Sequence, residues 1–298
     1  MKNSSTNVTT TDNTAITYSE CYAQVFLGDC LELYKNIEPK SIDLILTDLP
    51  YGTTACKWDT IIPFDKLWEM VNYLLKPNGA FITTASQPFT SALIMSNPKM
   101  FKYDWIWNKK KATGHQLVKK QPLRLKEDVL VFYNNQPIYN PQMTEGKPYK
   151  SKPRKNNIEG VYGMVGEHRN DNSGVRYPKN IIEFSFVHKP VHPTEKPISL
   201  FEYLLKTYSN ENMTIFDPCM GSGTTGVACK NLKRNFIGIE KDENYIENRL
   251  QENYGSLIYS ICCSLRSIYT VGKAREFRSI PCCIVHKRNW QHIFASFC

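Results

Sequence analysis

The sequence predicts an α/β fold built on a mostly parallel sheet of about seven strands, with helices on both faces. One observation is a set of seven short apolar runs, rich in β-branched and aromatic residues, that are nearly continuous in hydrophobicity. Such runs are typical of strands buried on both faces of a parallel sheet. The other is that helix-like segments alternate with several of these runs, which is the pattern of α/β proteins. A chain of 298 residues is long enough to bury a substantial core.

The predicted strands lie, in chain order, at 23–29, 42–48, 80–85, 103–108, 128–133, 213–218 and 235–240. The predicted helices lie at 29–37, 64–76, 88–96, 197–209, 222–232 and 243–254. Asp29 fits a helix N-cap ahead of "CLELYKN", and Pro197 fits the first turn of a helix. Gly79, after "LLKPN", indicates the end of a helix and a turn into the next strand.

The segments outside this alternation predict the domain organisation. Residues 1–20 are polar and are expected to be a disordered lead-in. Residues 136–190 are rich in Pro, Asn, Gly, Lys and Tyr, with one short apolar run, "NIIEFSF", and an irregular insert of this length is usually functional or disordered. This insert separates residues 21–135 from residues 191–254. The tail, 255–298, changes composition again and predicts no element.

Positive charge is concentrated in the middle of the chain. The net charge is +9, and residues 109–189 hold 16 Lys and Arg against 7 Asp and Glu, while the remainder is balanced at 21 of each. A basic segment with many Tyr, Asn, Gln and Pro favours a polyanionic partner such as nucleic acid. A solvated lysine-rich surface is the alternative interpretation.

The sequence predicts a cytoplasmic protein. It has no run of about 18 consecutive apolar residues, so no membrane span is expected. It also lacks an apolar signal core, so its ten cysteines are expected to be reduced. Five of these cysteines lie after Gly255 as adjacent pairs and a single residue, without the C-x-x-C spacing of zinc sites, and no metal site is expected.

A glycine-rich turn predicts a cofactor site. In "TIFDPCMGSGTTGVACKNLKRNFIGIE", Gly221, Gly223 and Gly226 satisfy G-x-G-x-x-G between a predicted strand and a predicted helix. Glu240, 17 residues beyond Gly223, ends the next strand, where a carboxylate can accept hydrogen bonds from ribose hydroxyls. The pattern therefore indicates a cofactor that contains adenosine.

Two cofactor classes fit this turn, a dinucleotide and S-adenosylmethionine. A dinucleotide needs its pyrophosphate close to the helix N-terminus, and Asp217, directly before the turn, would repel it. A ligand with an ammonium and a sulfonium group suits that carboxylate better. The turn also lies late in the chain, which is an unusual order for a dehydrogenase.

The stretch "LTDLPYGTT" places a carboxylate, a proline and an aromatic ring directly after a predicted buried strand. One interpretation is a tight polar turn, because Asp, Pro and Gly are turn residues. The other is a pocket for a flat ring that carries an amino group. Since ligands of open α/β sheets bind at the carboxyl ends of the strands, the position fits the second interpretation.

With both stretches in view, residues 20–254 resemble the amino-specific DNA methyltransferases, the N6-adenine and N4-cytosine family, in its permuted β-class arrangement. "DLPY" (48–51) resembles the catalytic D-P-P-Y motif and "DPCMGSGTT" (217–225) the cofactor loop. "HPTEKP" (192–197) and "GDC" (28–30) resemble two further motifs in the class-specific order. The resemblance implies a Rossmann-like, S-adenosylmethionine-dependent methyltransferase fold. The sequence departs from the family at Leu49, which replaces a proline, and at Cys219, which replaces a phenylalanine.

The resemblance also implies roles in catalysis, and it makes residues 21–135 the catalytic half of the domain. Asp48 and the backbone carbonyl of Leu49 would accept hydrogen bonds from the exocyclic amine of a base, Tyr51 would stack on its ring, and Pro50 would fix the backbone direction. Trp58 and Asp59 follow this turn; Asp59 would shape the loop, and core packing is the alternative for Trp58.

For the cofactor, the resemblance implies binding residues from four segments of the chain, with residues 191–254 as the cofactor-binding half. They are Asp29 near the adenine amino group, Glu240 on the ribose, Asp217, Gly221, Gly223 and Thr224 along the methionine moiety, and Lys196 and Ser199 near its carboxylate.

The basic insert would then recognise double-stranded DNA whose target base is flipped out of the helix. The candidate contacts to base edges or phosphates are Lys109, Lys110, Lys111, Lys119, Lys120, Arg124, Arg154, Arg169 and Arg176. Asp in the first catalytic position favours adenine N6 over cytosine N4. Methylation of RNA or of a protein amine, a nucleotide-dependent oxidoreductase and a non-catalytic DNA-binding protein are the remaining alternatives. A cognate restriction enzyme as a partner, and the oligomeric state, are left open.

Overall fold

A computed structural model describes residues 23–54, 56, 59–151, 171–187 and 195–242. The predicted lead-in (1–20), the predicted helix at 243–254 and the tail (255–298) lie outside these residues, as do Trp58, Arg154 and Arg169. In the described ranges, no helix is long and apolar enough to cross a membrane.

The described chain alternates strands and helices. Its strands are β1 Ala23–Leu27, β2 Ile42–Thr47, β3 Leu75–Ala85, β4 Phe101–Thr113, β5 Arg124–Phe132, β6 Thr144–Glu145, β7 Tyr149–Lys150, β8 Asp171–Asn172, β9 Val175–Arg176, β10 Ile181–Glu183, β11 Thr214–Asp217 and β12 Asn235–Glu240. Its α-helices are α1 Cys30–Leu33, α2 Phe64–Leu74, α3 Phe89–Ser96, α4 Ile198–Tyr208 and α5 Thr224–Asn231, with 3₁₀ turns at Tyr34–Asn36 and His115–Leu117.

Eight of these strands form one sheet in the order β1-β12-β11-β2-β3-β5-β4-β10. Only β5 runs opposite to the other seven, because it pairs antiparallel with both β3 and β4 while the other five pairings are parallel. From β2 the chain continues to β3 on one side, whereas β11 and β12 lie on the other. The carboxyl ends of β2 and β11 therefore border the crevice where α/β sheets bind ligands.

The buried apolar runs explain why these strands are central. In β2, Leu44, Ile45 and Leu46 are fully buried, as expected of a strand covered on both faces. Trp68 of α2 packs against Phe81 and Phe132 of the sheet, with ring centroids 5.6 and 5.2 Å away. Burying an apolar side chain of this size contributes about 1.5–3 kcal/mol, so this cluster anchors α2 on the sheet.

The structure confirms the α/β fold class and adds detail that the sequence does not predict. The sheet has eight strands, because "NIIEFSF" contributes β10, which pairs with β4 and takes residues 181–183 out of the irregular insert. β3 begins at Leu75, and its register with β2 shifts between the Ile42–Leu75 and Leu44–Ala80 pairs, so Gly79 lies in an irregular stretch within this strand. The described part of the insert also contains two short antiparallel pairs, β6 with β9 and β7 with β8.

Candidate active site

A cavity of ≈ 660 Å³ opens at the carboxyl edge of the sheet. Its lining brings together the residues that follow β1, β2, β11 and β12. The predicted site residues in this lining are Asp29, Asp48, Leu49, Pro50, Tyr51, Lys196, Asp217, Gly221, Thr224 and Glu240. Segments from opposite ends of the described chain thus share one pocket of the size that small-molecule ligands occupy.

Asp48 lies at the centre of a hydrogen-bond network. Its Oδ1 accepts hydrogen bonds from the Tyr51 hydroxyl (2.7 Å) and from the Thr84 hydroxyl. Its Oδ2 accepts one from Lys196 Nζ at 2.6 Å. The adjacent Leu49 side chain is only 3% exposed and belongs to the hydrophobic core. The turn therefore anchors its apolar residue inward and presents the carboxylate to the cavity.

Tyr51 is held from two sides. Its ring stacks on Phe89 with centroids 5.3 Å apart, and Lys196 Nζ lies 5.6 Å from the ring centroid. Burial, together with the negative charge of Asp48, raises the pKa of Tyr51 well above its usual value. The hydroxyl therefore stays protonated and donates to Asp48. Stacking of this ring on a target base remains a prediction.

Asp59 shapes the loop that follows the "DLPY" turn. Its carboxylate accepts hydrogen bonds from the backbone N–H groups of Gly52 (2.8 Å), Thr53 (2.9 Å) and Thr54 (2.7 Å). Burial alone would raise the pKa of Asp59, but the Thr54 hydroxyl and these N–H groups outweigh it and lower the pKa. The loop is thus tied to an ionised carboxylate, as predicted for this residue.

Asp217 acts as a buried brace. Its Oδ1 accepts hydrogen bonds from the Thr47 hydroxyl (2.7 Å) and the Cys219 N–H (3.1 Å), and its Oδ2 accepts one from the Thr225 hydroxyl (2.5 Å). These bonds join the ends of β2 and β11 to α5. Burial raises the pKa of Asp217 to about 6, although the hydrogen bonds from Thr225 and Thr47 oppose the rise.

The glycine turn is pinned to the next strand. Gly221 has a positive φ of 51° and its N–H donates to Glu240 Oε2 at 2.7 Å. Glu240 Oε1 accepts hydrogen bonds from the N–H groups of Lys241 and Asp242, both at 2.9 Å. A Cβ added at Gly221 would meet no atom within 4 Å, so the cavity leaves open space beside this backbone.

Asp29 combines two roles. As predicted for an N-cap, it accepts a hydrogen bond from the Leu31 N–H (2.9 Å), and it also pairs with Lys241 at 3.1 Å. Burial alone would raise the pKa of Asp29, but the Leu31 N–H and Lys241 more than offset it, so the pKa is lowered.

Lys196 contacts the "DLPY" turn. The resemblance implies a position near a cofactor carboxylate, yet its Nζ pairs with Asp48 and lies 3.7 Å from Glu127 Oε2. Burial would lower the pKa of Lys196, but the charges of Asp48 and Glu127 outweigh this and raise it. Ser199 is exposed, and neither it nor Gly223 lines the cavity; Gly223 caps α5 with a φ of 80°.

The predicted DNA contacts divide into exposed and buried residues. Lys110, Lys111, Lys119, Lys120 and Arg124 are exposed on β4, β5 and the loop between them. The prediction is not supported for Lys109, which is buried and pairs with Glu127 at 3.1 Å.

Arg176 is also engaged within the protein. Its guanidinium bonds the side chain of Asn172 and the carbonyl of Lys147 (2.6 Å) and lies 4.6 Å from the ring centroid of Tyr149. It therefore joins the two short strand pairs of the insert, and its contact with DNA stays a prediction.

The site suits S-adenosylmethionine better than a dinucleotide. Three carboxylates, Asp29, Asp217 and Glu240, border the turn, and a pyrophosphate would be repelled there. The open space beside Gly221 accepts a ligand in close contact with the backbone. In the described ranges, no cluster of three or more His, Cys, Asp or Glu residues could hold a metal ion.

Comparison with known proteins decides the family. A model of the N6/N4 DNA methylases, described as DNA methylase, matches residues 42–251. The chain belongs to this DNA methylase family. Among curated relatives, the type II methyltransferase M.HpaI of Haemophilus parainfluenzae is 30% identical over 243 residues, which is 75% of this chain and 72% of the relative. The type II methyltransferase M1.MboII of Moraxella bovis is 27% identical, over 73% of this chain and 91% of its own.

Two solved structures match the fold of this chain. The complex of M1.HpyAVI with SAM matches with a TM-score of 0.52 and 25% identity, over 77% of this chain and 99% of that chain. The cytosine-N4-specific PvuII DNA methyltransferase matches with a TM-score of 0.57 over 84% of this chain and 94% of its own, and at 17% identity it supports the fold alone. The predicted family and fold are confirmed.

The sequence does not reveal several residues of this methylase site. Thr47, Thr84 and Thr225 supply the hydroxyl groups around Asp48 and Asp217. Thr47 and Thr84 lie in strands, where threonine is an ordinary β-branched residue, so their type carries no signal. Their position at the ends of β2 and β3 and at the start of α5, next to the two motifs, is the only available indication.

Proposed function

We propose that this chain is a site-specific DNA methyltransferase that transfers a methyl group from S-adenosylmethionine to the N6 amine of adenine. The observation that carries the proposal is the shared cavity, in which Asp48 of the "DLPY" turn and the glycine turn at Gly221 face the same space. The cofactor turn and the amine-binding turn must meet for a direct transfer between their ligands. Family membership supports the same chemistry.

S-adenosylmethionine, when bound, supplies an electrophilic methyl group whose bond to sulfur breaks with the electron pair remaining on the sulfur. The chain's part is to hold this ligand beside Gly221, with Glu240 and Asp29 at its ribose and adenine end. Glu240 Oε2 accepts a single hydrogen bond from the described residues, so it retains capacity for a ribose hydroxyl.

Asp48 and Leu49 prepare the nucleophile. The amine of a base is a poor nucleophile, because its lone pair is delocalised into the ring. Hydrogen bonds from its two N–H groups to the Asp48 carboxylate and the Leu49 carbonyl localise this pair and direct it at the methyl carbon. The new carbon–nitrogen bond makes the amine acidic, and it then loses a proton to solvent. Positioning and electrostatics are therefore the main contributions of this turn.

The arm formed by β4, β5 and their loop is the proposed DNA contact. Ala85 at the end of β3 pairs with Asp128 of the antiparallel strand β5. Arg124 lies four residues before Asp128, on the side beyond the end of β3. The arm therefore extends about 13 Å beyond the edge that carries the active site, at about 3.3 Å per residue. Its exposed cations can neutralise phosphates while the target base is flipped towards Asp48.

Adenine is the proposed target because aspartate occupies the first position of the catalytic turn. Cytosine N4 is the alternative, since the PvuII enzyme shares the fold. We also propose a restriction-modification role in the bacterial cytoplasm, with a restriction enzyme of matching specificity as partner, because the relatives M.HpaI and M1.MboII carry the type II designation.

Transfer to DNA tests the proposal. Purified protein is incubated with labelled S-adenosylmethionine and unmethylated, PCR-amplified genomic DNA. We expect label in DNA for the wild type and none for Asp48→Ala, whereas Asp65→Ala, a surface carboxylate on α2, is the matched control that keeps the wild-type rate. Transfer that persists in Asp48→Ala, or label that enters RNA or protein and not DNA, would contradict the proposal.

A further inference from the structure

Lys196 Nζ lies between two carboxylates inside the active site. It is 2.6 Å from Asp48 Oδ2 and 3.7 Å from Glu127 Oε2, and the Lys196 side chain is only 9% exposed. The first distance is that of a charge-assisted hydrogen bond, and the second is about 1 Å too long for one. The lysine thus bonds one carboxylate and faces the other.

Glu127 Oε2 is an unusual atom. It is buried and has no hydrogen-bond partner within the described part of the chain, whereas Glu127 Oε1 accepts a hydrogen bond from Lys109 at 3.1 Å. Buried carboxylate oxygens are nearly always paired, because desolvation without a partner is costly. An acceptor left vacant 3.7 Å from a lysine is therefore a ready second position for that lysine.

Both carboxylate oxygens of Asp48, in contrast, already accept hydrogen bonds. Tyr51 and Thr84 donate to Oδ1 and Lys196 donates to Oδ2, which leaves about one of the four acceptor positions of a carboxylate. The amine of a target base needs an acceptor directed at the cavity. With Lys196 in place, the base would compete with a bound cation.

We propose that Lys196 is a positioning residue that exchanges between two carboxylates, from Asp48 to Glu127, when the target amine enters. The proposal rests on the proposed function, because it assigns Asp48 to the amine. A shift of Nζ by about 1 Å completes the bond to Glu127 Oε2 and frees Asp48 Oδ2. The number of charges in the site does not change, and the raised pKa of Lys196 keeps it a cation in both positions.

Glu127→Gln tests the exchange. Lys109 requires an acceptor, so the amide oxygen of the introduced glutamine would face Lys109 and its NH₂ group would face Lys196. Two donors then oppose each other, and Lys196 stays on Asp48. We expect the single-turnover transfer rate at saturating DNA and cofactor to fall about 10- to 100-fold, the factor that corresponds to one charge-assisted hydrogen bond, with the Kd for S-adenosylmethionine unchanged. Glu202→Gln, whose partner is Asn231 on the surface, is the matched control and keeps the wild-type rate.

The double variant Glu127→Gln/Lys196→Met separates exchange from a simple structural role. If Lys196 blocks Asp48 in Glu127→Gln, removal of its charge restores the rate, and the double variant is faster than the single one. A double variant equal to or slower than Glu127→Gln, or a Glu127→Gln rate equal to wild type, would overturn the exchange. If thermal unfolding shows that Glu127→Gln is unfolded, Glu127→Asp takes its place, because its shorter side chain withdraws the acceptor from Lys196. A wild type without transfer to DNA would instead refute the proposed function.

Discussion

Asp217→Asn is predicted to change how the stability of the protein depends on pH. The wild-type carboxylate is 2% exposed and is surrounded by the Thr47 and Thr225 hydroxyls and the Cys219 N–H. Asparagine has the same shape. Its Oδ1 keeps the hydrogen bonds from Thr47 and Cys219, and its NH₂ group donates to the Thr225 hydroxyl, which turns towards the Leu46 carbonyl, 3.5 Å away. The substitution therefore removes the charge and preserves the brace.

The magnitude follows from the pKa of Asp217, which is about 6 in the folded protein against 3.8 for an ordinary aspartate. A pKa that is raised by folding gives stability that is fully present below the unfolded pKa and is lost as pH rises through the folded one. The wild type should thus lose about 3 kcal/mol between pH below 4 and pH above 6, of which about 1.3 kcal/mol falls between pH 5 and pH 7. The asparagine variant lacks this loss.

Urea unfolding of both proteins without cofactor, at several pH values from 5 to 7, measures the effect. Groups that the two proteins share cancel in the difference between their free energies of unfolding. As the pH rises from 5 to 7, we expect the stability of Asp217→Asn relative to the wild type to increase by about 1.3 kcal/mol. A difference that is independent of pH, or that moves in favour of the wild type, would refute the assignment of Asp217 as a buried, desolvated brace.

Three further predictions concern the catalytic turn, the cofactor turn and the arm. Leu49→Pro should keep methyl transfer, because the backbone carbonyl remains. Thermal unfolding should show that the free energy of unfolding falls by about 1–2 kcal/mol, because the buried leucine side chain is lost. Loss of transfer in the folded variant would contradict this prediction. Gly221→Ala should fold with a cost of about 1 kcal/mol at its positive φ, but calorimetry should show weaker S-adenosylmethionine binding, and an unchanged Kd would argue against this cofactor position. Lys119→Ala and Lys120→Ala should each reduce the slope of the logarithm of the DNA-binding constant against the logarithm of salt concentration by about one. Lys99→Ala, an exposed lysine at the other end of β4, should leave the slope unchanged. Equal slopes for all three variants would exclude the arm as the DNA contact.

The positions of the strands and of the two motifs could be predicted from the sequence. The central strands, such as β2 and β12, are almost uninterrupted apolar runs, so they stand out from the polar segments around them. Asp48 and Asp217 stand out for the same reason, because each is a charge directly after such a run. The edge strand β10 has only three residues, so the short apolar run "NIIEFSF" that contains it does not by itself predict a strand.

The partners of the charged residues could not be predicted, because they are set by tertiary contacts. Lys109 belongs to a run of three lysines, and a run of lysines predicts a solvated or phosphate-binding surface. In a strand, however, alternate side chains face opposite sides, so Lys109 is buried beside Glu127 while Lys110 is exposed. The pairing of Lys196 with Asp48 joins residues 148 positions apart, and no local pattern indicates it.

The identity of the modified nucleoside distinguishes adenine N6 from the other possible targets. Unmethylated DNA is incubated with the wild-type protein and S-adenosylmethionine, digested to nucleosides and analysed by mass spectrometry against standards. We expect N6-methyl-2′-deoxyadenosine in the wild-type reaction and none in the Asp48→Ala reaction. N4-methyl-2′-deoxycytidine would contradict the assignment of adenine while leaving the amino-methyltransferase chemistry intact, and the absence of any methylated nucleoside would contradict the proposed function as a whole.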